Sequence, residues 1–77
     1  IMEVFTIAIT GRNRNPVVGK IRLSESPERC IHFCSLHTTP HQSVRNAQLR
    51  AQQIRDVVDT LRPLSLPFII AGDLNLY

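Results

Sequence analysis

The fold of this chain is decided by one stretch, PFIIAGDLN at residues 67–75. Its first five residues form an apolar run that is too short for a helix and is typical of a buried strand. Asp73 and Asn75 follow, and a side-chain period of two places them on the same side of the backbone. Gly72 allows another segment to approach the backbone closely. The stretch therefore predicts a strand that ends in a carboxylate and a carboxamide, although both residues are also ordinary turn formers.

The preceding residues predict three strands and one helix. Strands are predicted at residues 2–10, 17–23 and 30–37, and the third is apolar on both faces, which implies cover on both. A helix is then predicted between an N-cap at Ser43 and a stop at Pro63. Its apolar positions, at steps of three and four, are Val44, Ala47, Ala51, Ile54, Val58 and Leu61. Its charged side chains, Arg50 among them, are assigned to the solvated face.

The order β-β-β-α-β predicts an α/β fold with a site at one edge of the sheet. A helix between the third and fourth strands is a crossover connection, which makes those strands parallel and adjacent. Parallel strands end on the same edge, so His37 and Asp73 should lie near each other. Together with Asn75 they form a candidate group for proton transfer and anion binding.

Composition gives weaker indications. The net charge of +3 comes from eight arginines and one lysine against six acidic residues, and arginine suits phosphate through its planar, bidentate fork. A solvated helix face explains these charges equally well. No stretch approaches the ~20 apolar residues of a membrane span. Cys30 and Cys34 in one strand would have Cα atoms about 13 Å apart, beyond disulfide reach, which favours a reducing, intracellular compartment.

Three segments resemble the endonuclease/exonuclease/phosphatase superfamily. They are Leu36-His37, the pattern Arg45-x-x-Gln48-Leu49, and the stretch at residues 69–75. In that superfamily a strand ends in histidine, a helix begins with Arg-x-x-Gln-Leu, and a later strand ends in Gly-Asp-x-Asn. The segments occur here in the same order, and the resemblance covers roughly residues 17–77.

The resemblance implies a two-sheet sandwich with outer helices that hydrolyses phosphate esters with Mg²⁺ or Mn²⁺. Asp73 would orient or deprotonate the attacking water and could serve as a secondary metal ligand. Asn75 would bind a phosphate oxygen and stabilise developing charge, and His37 would contact the phosphate or assist the leaving oxygen. The superfamily's metal-binding glutamate and its Ser-Asp-His motif are not found in the chain. Residues 1–77 are therefore expected to be the central part of a larger domain, truncated at both ends and inactive alone.

The subfamily signals conflict. The stretch LHTTP at residues 36–40 resembles LHAAP of deoxyribonuclease I, whereas the arginine-glutamine pattern and GDLNL at residues 72–76 resemble tyrosyl-DNA phosphodiesterase 2. The phosphate-contacting Ser and Arg of the latter are replaced by Pro40 and Gln42. DNA, RNA or a nucleic-acid adduct is the favoured substrate. The alternatives are a phospholipid or inositol-phosphate phosphoesterase and a non-catalytic basic module that binds nucleic acid.

Other polar residues admit further interpretations. Cys30, His32 and Cys34 share a strand face at ~6.6 Å steps, too widely spaced for all three to reach one zinc ion. His32 is instead predicted to be a core or edge histidine. His41 is predicted to lie in a loop, with substrate contact as the alternative, and Gln48 either caps backbone groups above the site or is solvated.

Overall fold

The fold is an α/β arrangement of four strands and one α-helix, seen in a computed structural model that describes residues 1–11, 15–40 and 43–75. Its elements are β1 (Glu3–Thr6), β2 (Val17–Glu25), β3 (Glu28–Ser35), α1 (Val44–Leu61), a short 3₁₀ helix (Arg62–Leu64) and β4 (Phe68–Ala71). The predicted order β-β-β-α-β is confirmed. Residues 12–14 of the first predicted turn, His41, Gln42 and the last two residues lie outside the described ranges.

The four strands form one mixed sheet in the order β1-β2-β3-β4. The first three are antiparallel to their neighbours, and β4 runs parallel to β3, with Phe33 opposite Ile69. A parallel neighbour requires a crossover, and α1 supplies it. The predicted parallel, adjacent pairing of the third and fourth strands is confirmed, so both strands leave the sheet at the same edge.

The hydrophobic core lies between the sheet and α1. Alternate residues along β3 and just beyond it are buried, from Cys30 and His32 to Cys34 and Leu36. The core cluster contains Ile7, Ile9, Val18, Cys34, Leu36, Val57 and Leu61. Cys30 and Cys34 are free thiols, and burial raises the pKa of Cys34.

The other face of the sheet is apolar and exposed. Val4, Val17, Phe33 and Ile69 keep between 39% and 59% of their surface accessible. In the antiparallel and parallel registers, Phe33 lies between Gly19 and Ile69, so these residues form one continuous face. Within the described residues the single helix packs on one face only, so cover on the second face of the third strand stays a prediction.

The helix is rotated relative to the predicted apolar stripe. Ser43 is the N-cap, accepting at its Oγ from the Asn46 backbone N–H at 3.0 Å, and α1 ends at Leu61, two residues before Pro63. Val44, however, is 77% exposed, and Ala47 and Ala51 are also exposed. The buried positions are Arg50, Gln53, Val57 and Leu61. The predicted stripe was wrong in its amino-terminal half, because Arg50 and Gln53 are buried there and form hydrogen bonds with backbone groups.

No helix in the described ranges has both the length and the apolar character needed to cross a membrane.

Candidate functional site

The candidate site lies where β3 and β4 leave the sheet together. Backbone pairing continues past both strands: the Leu36 N–H donates to the Ala71 carbonyl at 2.8 Å, and the Thr38 N–H donates to the Asp73 carbonyl at 3.1 Å. His37 lies between these two anchored residues. The parallel ladder therefore fixes the backbone on both sides of His37 relative to Asp73.

Gly72 makes this close pairing sterically feasible. Its φ is +133°, a conformation that side chains rarely allow, and a Cβ there would collide with the carbonyl oxygen of Leu36. The close backbone approach predicted at this glycine is confirmed. Any larger residue would separate the two strand ends.

His37 and Asp73 meet at this edge. His37 Nε2 lies 3.4 Å from Asp73 Oδ2, and the two side chains are 48% and 59% exposed. Both line a cleft of about 280 Å³, whose wall also includes Asn15 and Pro16 from the segment before β2. The histidine and the carboxylate are therefore adjacent and open to a ligand, as the crossover topology predicts.

Asn75 reaches the same place by a different route from the one predicted. The strand ends at Ala71, so the side-chain period of two does not extend to Asn75, whose φ is 48° in the left-handed region. A local turn replaces it: the Asn75 backbone N–H donates to Asp73 Oδ1 at 3.1 Å. Asn75 Nδ2 also donates to the Thr38 carbonyl at 2.9 Å. The carboxamide is thus anchored to the loop that follows His37.

Thr38 connects the two segments of the site. Besides its backbone bonds to Asp73 and Asn75, its Oγ1 donates to the Leu74 carbonyl, and the residue is completely buried. Thr38 thereby forms three separate hydrogen bonds with residues 73–75. The segments that carry His37 and Asp73 are held as one unit.

The buried polar face of α1 holds the next residues of the loop. Gln53 Oε1 accepts from the Thr39 N–H at 2.9 Å, and Arg50 Nη1 donates to the Thr39 carbonyl at 3.2 Å. One turn earlier, Asn46 Nδ2 donates to the Pro40 carbonyl at 3.1 Å. Arg50 is only 5% exposed and Gln53 is fully buried, so the assignment of Arg50 to the solvated face was wrong.

These helix residues carry a signal that the sequence prediction missed. The spacing Arg-x-x-Gln followed by an aliphatic residue occurs twice, at residues 45–49 and again at residues 50–54. Gln48 of the first copy is exposed, whereas Gln53 of the second binds the loop. The role of capping loop backbone groups therefore falls to Gln53. The repeated spacing alone could not have shown which copy faces inward.

Asp56 extends the same helix face to the end of the β1 segment. Its Oδ2 accepts from both the N–H and the Oγ1 of Thr10 at 2.8 Å, and its Oδ1 accepts from Gln52 Nε2 at 2.8 Å. Burial acts to raise the pKa of Asp56. The hydrogen bonds from Gln52 and Thr10 and the positive charge of Arg55 outweigh it, so the pKa is lowered.

A second cavity lies at the other end of the β3–β4 pair. It has a volume of about 380 Å³ and is lined by Glu3, Phe5, Lys20, His32, Thr60 and Leu64. His32 is 4% exposed, its ring meets that of Phe5 edge-on at 5.7 Å, and its Nδ1 has no hydrogen-bond partner among the described residues. His32 is a core histidine, as predicted.

No group of three or more metal-ligating side chains occurs in residues 1–11, 15–40 and 43–75. Asp73 is the exposed carboxylate of the candidate site and could serve as one ligand of a metal ion.

Comparison with known proteins gives no relative: no protein-family model, curated protein or solved structure matches this chain.

Proposed function

We propose that this chain is the central part of a metal-dependent phosphoesterase of the endonuclease/exonuclease/phosphatase superfamily, hydrolysing a phosphodiester in a nucleic acid or a nucleic-acid adduct. The observation that carries the proposal is the 3.4 Å separation of His37 Nε2 and Asp73 Oδ2 beside a cleft. Strand-end residues are commonly turn formers, but this pair is exposed, adjacent and rigidly supported. That combination suits a site better than a turn.

The side chains present divide the chemistry between them. Asp73 Oδ2 accepts the proton of the attacking water, because a carboxylate is the proton acceptor at this edge. Its other oxygen is engaged by the Asn75 N–H, which holds the carboxylate in place. His37, when protonated, donates to a phosphate oxygen or to the leaving oxygen. Both groups can then act on the oxygens around one phosphorus atom.

Asn75 supplies a neutral donor to the phosphate. An amide nitrogen carries two N–H groups, and one of them is engaged by the Thr38 carbonyl. The other can donate to a non-bridging oxygen as negative charge develops there. A neutral amide does this without competing for a cation.

Mg²⁺ or Mn²⁺ would neutralise charge on the phosphate when bound. Magnesium in proteins is held by one or two carboxylates together with substrate phosphate and water. Asp73 fits one such position as a secondary ligand. The remaining ligand and the final catalytic histidine would come from other parts of the longer protein.

The exposed apolar face of the sheet fits the two-sheet sandwich of the proposed superfamily. Phe33 and Ile69 lie next to each other on this face, and packing a second sheet about 10 Å away would bury them. We propose that this second sheet is built from the rest of the longer protein.

Two of the arginines have partners within the chain, which leaves less positive charge for a non-catalytic basic module. Arg22 lies 3.5 Å from Glu25 and 3.7 Å from Glu28, while Arg50 is buried against the loop. Both side chains thus contact other residues of the chain. No structural observation favours a phospholipid or an inositol phosphate, so these substrates remain comparison arms of the test.

The test is Mg²⁺-dependent hydrolysis by the full-length protein and its Asp73→Asn variant. The substrates are a short DNA, a short RNA, a phospholipid and an inositol phosphate. Because the amide keeps the shape but loses the proton-accepting charge, kcat on the preferred substrate should fall ~10²–10⁴-fold with folding intact. Asn75→Ala should cost ~10²–10³-fold through the lost donor.

Melting temperatures measured on the same preparations provide the control. If Asp73→Asn melts at a lower temperature but keeps its kcat, the residue is a turn former and the proposal fails. Salt-dependent nucleic-acid binding without hydrolysis would instead favour the basic module.

A further inference from the structure

Gln53 uses its hydrogen-bonding groups fully. It is fully buried, and its Oε1 accepts from the Thr39 N–H. Its Nε2 donates to Thr39 Oγ1 at 2.7 Å and to the Thr10 carbonyl at 2.9 Å. A buried amide with its acceptor and both donor directions in use is held in one orientation.

Consecutive loop residues attach to different parts of the chain, Thr38 to the turn and Thr39 to α1. The Thr38 backbone pairs with Asp73 through its N–H and with Asn75 through its carbonyl. Thr39, the next residue, pairs with Gln53 through its N–H and its hydroxyl. The peptide unit between Thr38 and Thr39 therefore bonds the turn through its carbonyl and the helix through its N–H.

We propose that Gln53 is a positioning residue that sets the separation of His37 and Asp73. It acts through Thr39 and Thr38, because its hydrogen bonds fix Thr39, the residue next to the one that is bonded to the turn. The catalytic consequence of this inference rests on the proposed phosphoesterase function, whereas its geometric consequence does not. Losing the Gln53 amide should let Thr38 move away from the turn while the strands remain paired.

The geometric test is amide hydrogen exchange in Gln53→Met, with Gln48→Met as the matched control. Leu36 and Thr38 both donate across the β3–β4 boundary, to Ala71 and Asp73 respectively. In Gln53→Met the exchange of the Thr38 amide should accelerate about tenfold relative to that of Leu36, as expected for loss of hydrogen-bonded support. Gln48 is exposed on the same helix, and its substitution should leave this ratio unchanged.

A milder variant keeps the inference testable if Gln53→Met fails to fold. Thr39→Val removes only the hydroxyl bonded to Gln53 Nε2 and retains the backbone bond. It should accelerate the Thr38 amide in the same direction by a smaller factor, and Thr39→Ser should restore the original ratio. Equal acceleration of Leu36 and Thr38 would indicate a purely structural role and overturn the inference.

Activity distinguishes failure of this inference from failure of the proposed function. Where Asp73→Asn abolishes hydrolysis, Gln53→Met should lower kcat at least about tenfold with little change in KM, since misplaced reacting groups slow the chemical step. An unchanged kcat there would overturn the positioning role. Activity unaffected by Asp73→Asn would overturn the proposed function, and the exchange ratio would then decide on Gln53 independently.

Discussion

The paired region of β3 and β4 carries a histidine near each end, and the two have very different surroundings. His37, where the strands leave the sheet, is about half exposed and 3.4 Å from the Asp73 carboxylate. His32, where the pairing begins, is 4% exposed and has an orphaned Nδ1. The surroundings of each histidine therefore depend on its distance from the carboxyl edge of the sheet. On the helix side of the sheet a side chain is buried in the core, whereas past the last residue of the strand it can also reach partners and water.

The largest effect that tests this comparison is expected from His37→Ala. In the proposed phosphoesterase, loss of a proton donor at the phosphate should lower kcat by about 10²-fold. Stability should change by less than about 1 kcal/mol, because a solvent-exposed ion pair contributes little. Steady-state kinetics and denaturant unfolding on the same samples measure both. A large loss of stability with unchanged kcat would make His37 a structural residue rather than a catalytic one.

A smaller and opposite effect is expected from His32→Leu. Removing a buried nitrogen without a partner should raise the unfolding free energy by about 1 kcal/mol, since the desolvation cost of that atom disappears. The loss of the edge-on contact with Phe5 opposes part of this gain. Urea unfolding checks the sign, and kcat should stay the same. A loss of more than about 1 kcal/mol would show that Nδ1 has a partner in solution.

The smallest effect concerns the carboxylate that ties α1 to the end of the β1 segment. The pKa of Asp56 is lowered in the folded state, so its ionised form stabilises the fold above the unfolded-state pKa near 3.8. That contribution is lost as the pH falls through the folded pKa. Asp56→Asn should therefore lower stability at pH 7 by no more than about 1 kcal/mol, because these bonds are partly exposed.

The pH dependence provides the control for Asp56. The difference in unfolding free energy between the wild-type protein and the asparagine variant should shrink as the pH falls below about 5. The other carboxylates contribute equally to both proteins and cancel in this difference. A difference that stays constant over this range would mean that the negative charge of Asp56 is not what stabilises the fold.

The parallel pairing of the third and fourth strands and the meeting of His37 with Asp73 could be predicted, because both follow from one topological rule. A strand-helix-strand order forces a parallel pair with a common edge, and that depends on hydrophobic periodicity alone. The helix phase could not be predicted in the same way. Ala47 and Ala51 satisfy an apolar stripe, but alanine buries little area, and the hydrogen bonds of Arg50 and Gln53 to Thr39 determine the rotation.

The position of Asn75 shows a second limit. Period two was extended beyond the last strand residue, Ala71, where the backbone no longer alternates. The contact between Asn75 and Asp73 depends on a left-handed residue and a turn hydrogen bond, both of which are local. Asx turns are common enough that the motif alone allows either geometry. The hydrogen bond from Asn75 to the Thr38 carbonyl favours the geometry that is observed.

The contact between Gly72 and Leu36 has a consequence for the energetics of the proposed reaction. With no side chain between the two strand ends, the backbones of Gly72 and Leu36, which adjoin Asp73 and His37, are in direct contact. In the proposed phosphoesterase, the backbones that carry the reacting groups would be aligned when the chain folds rather than when substrate binds. The missing Cβ of Gly72 would thereby keep the reorganisation energy of the chemical step small.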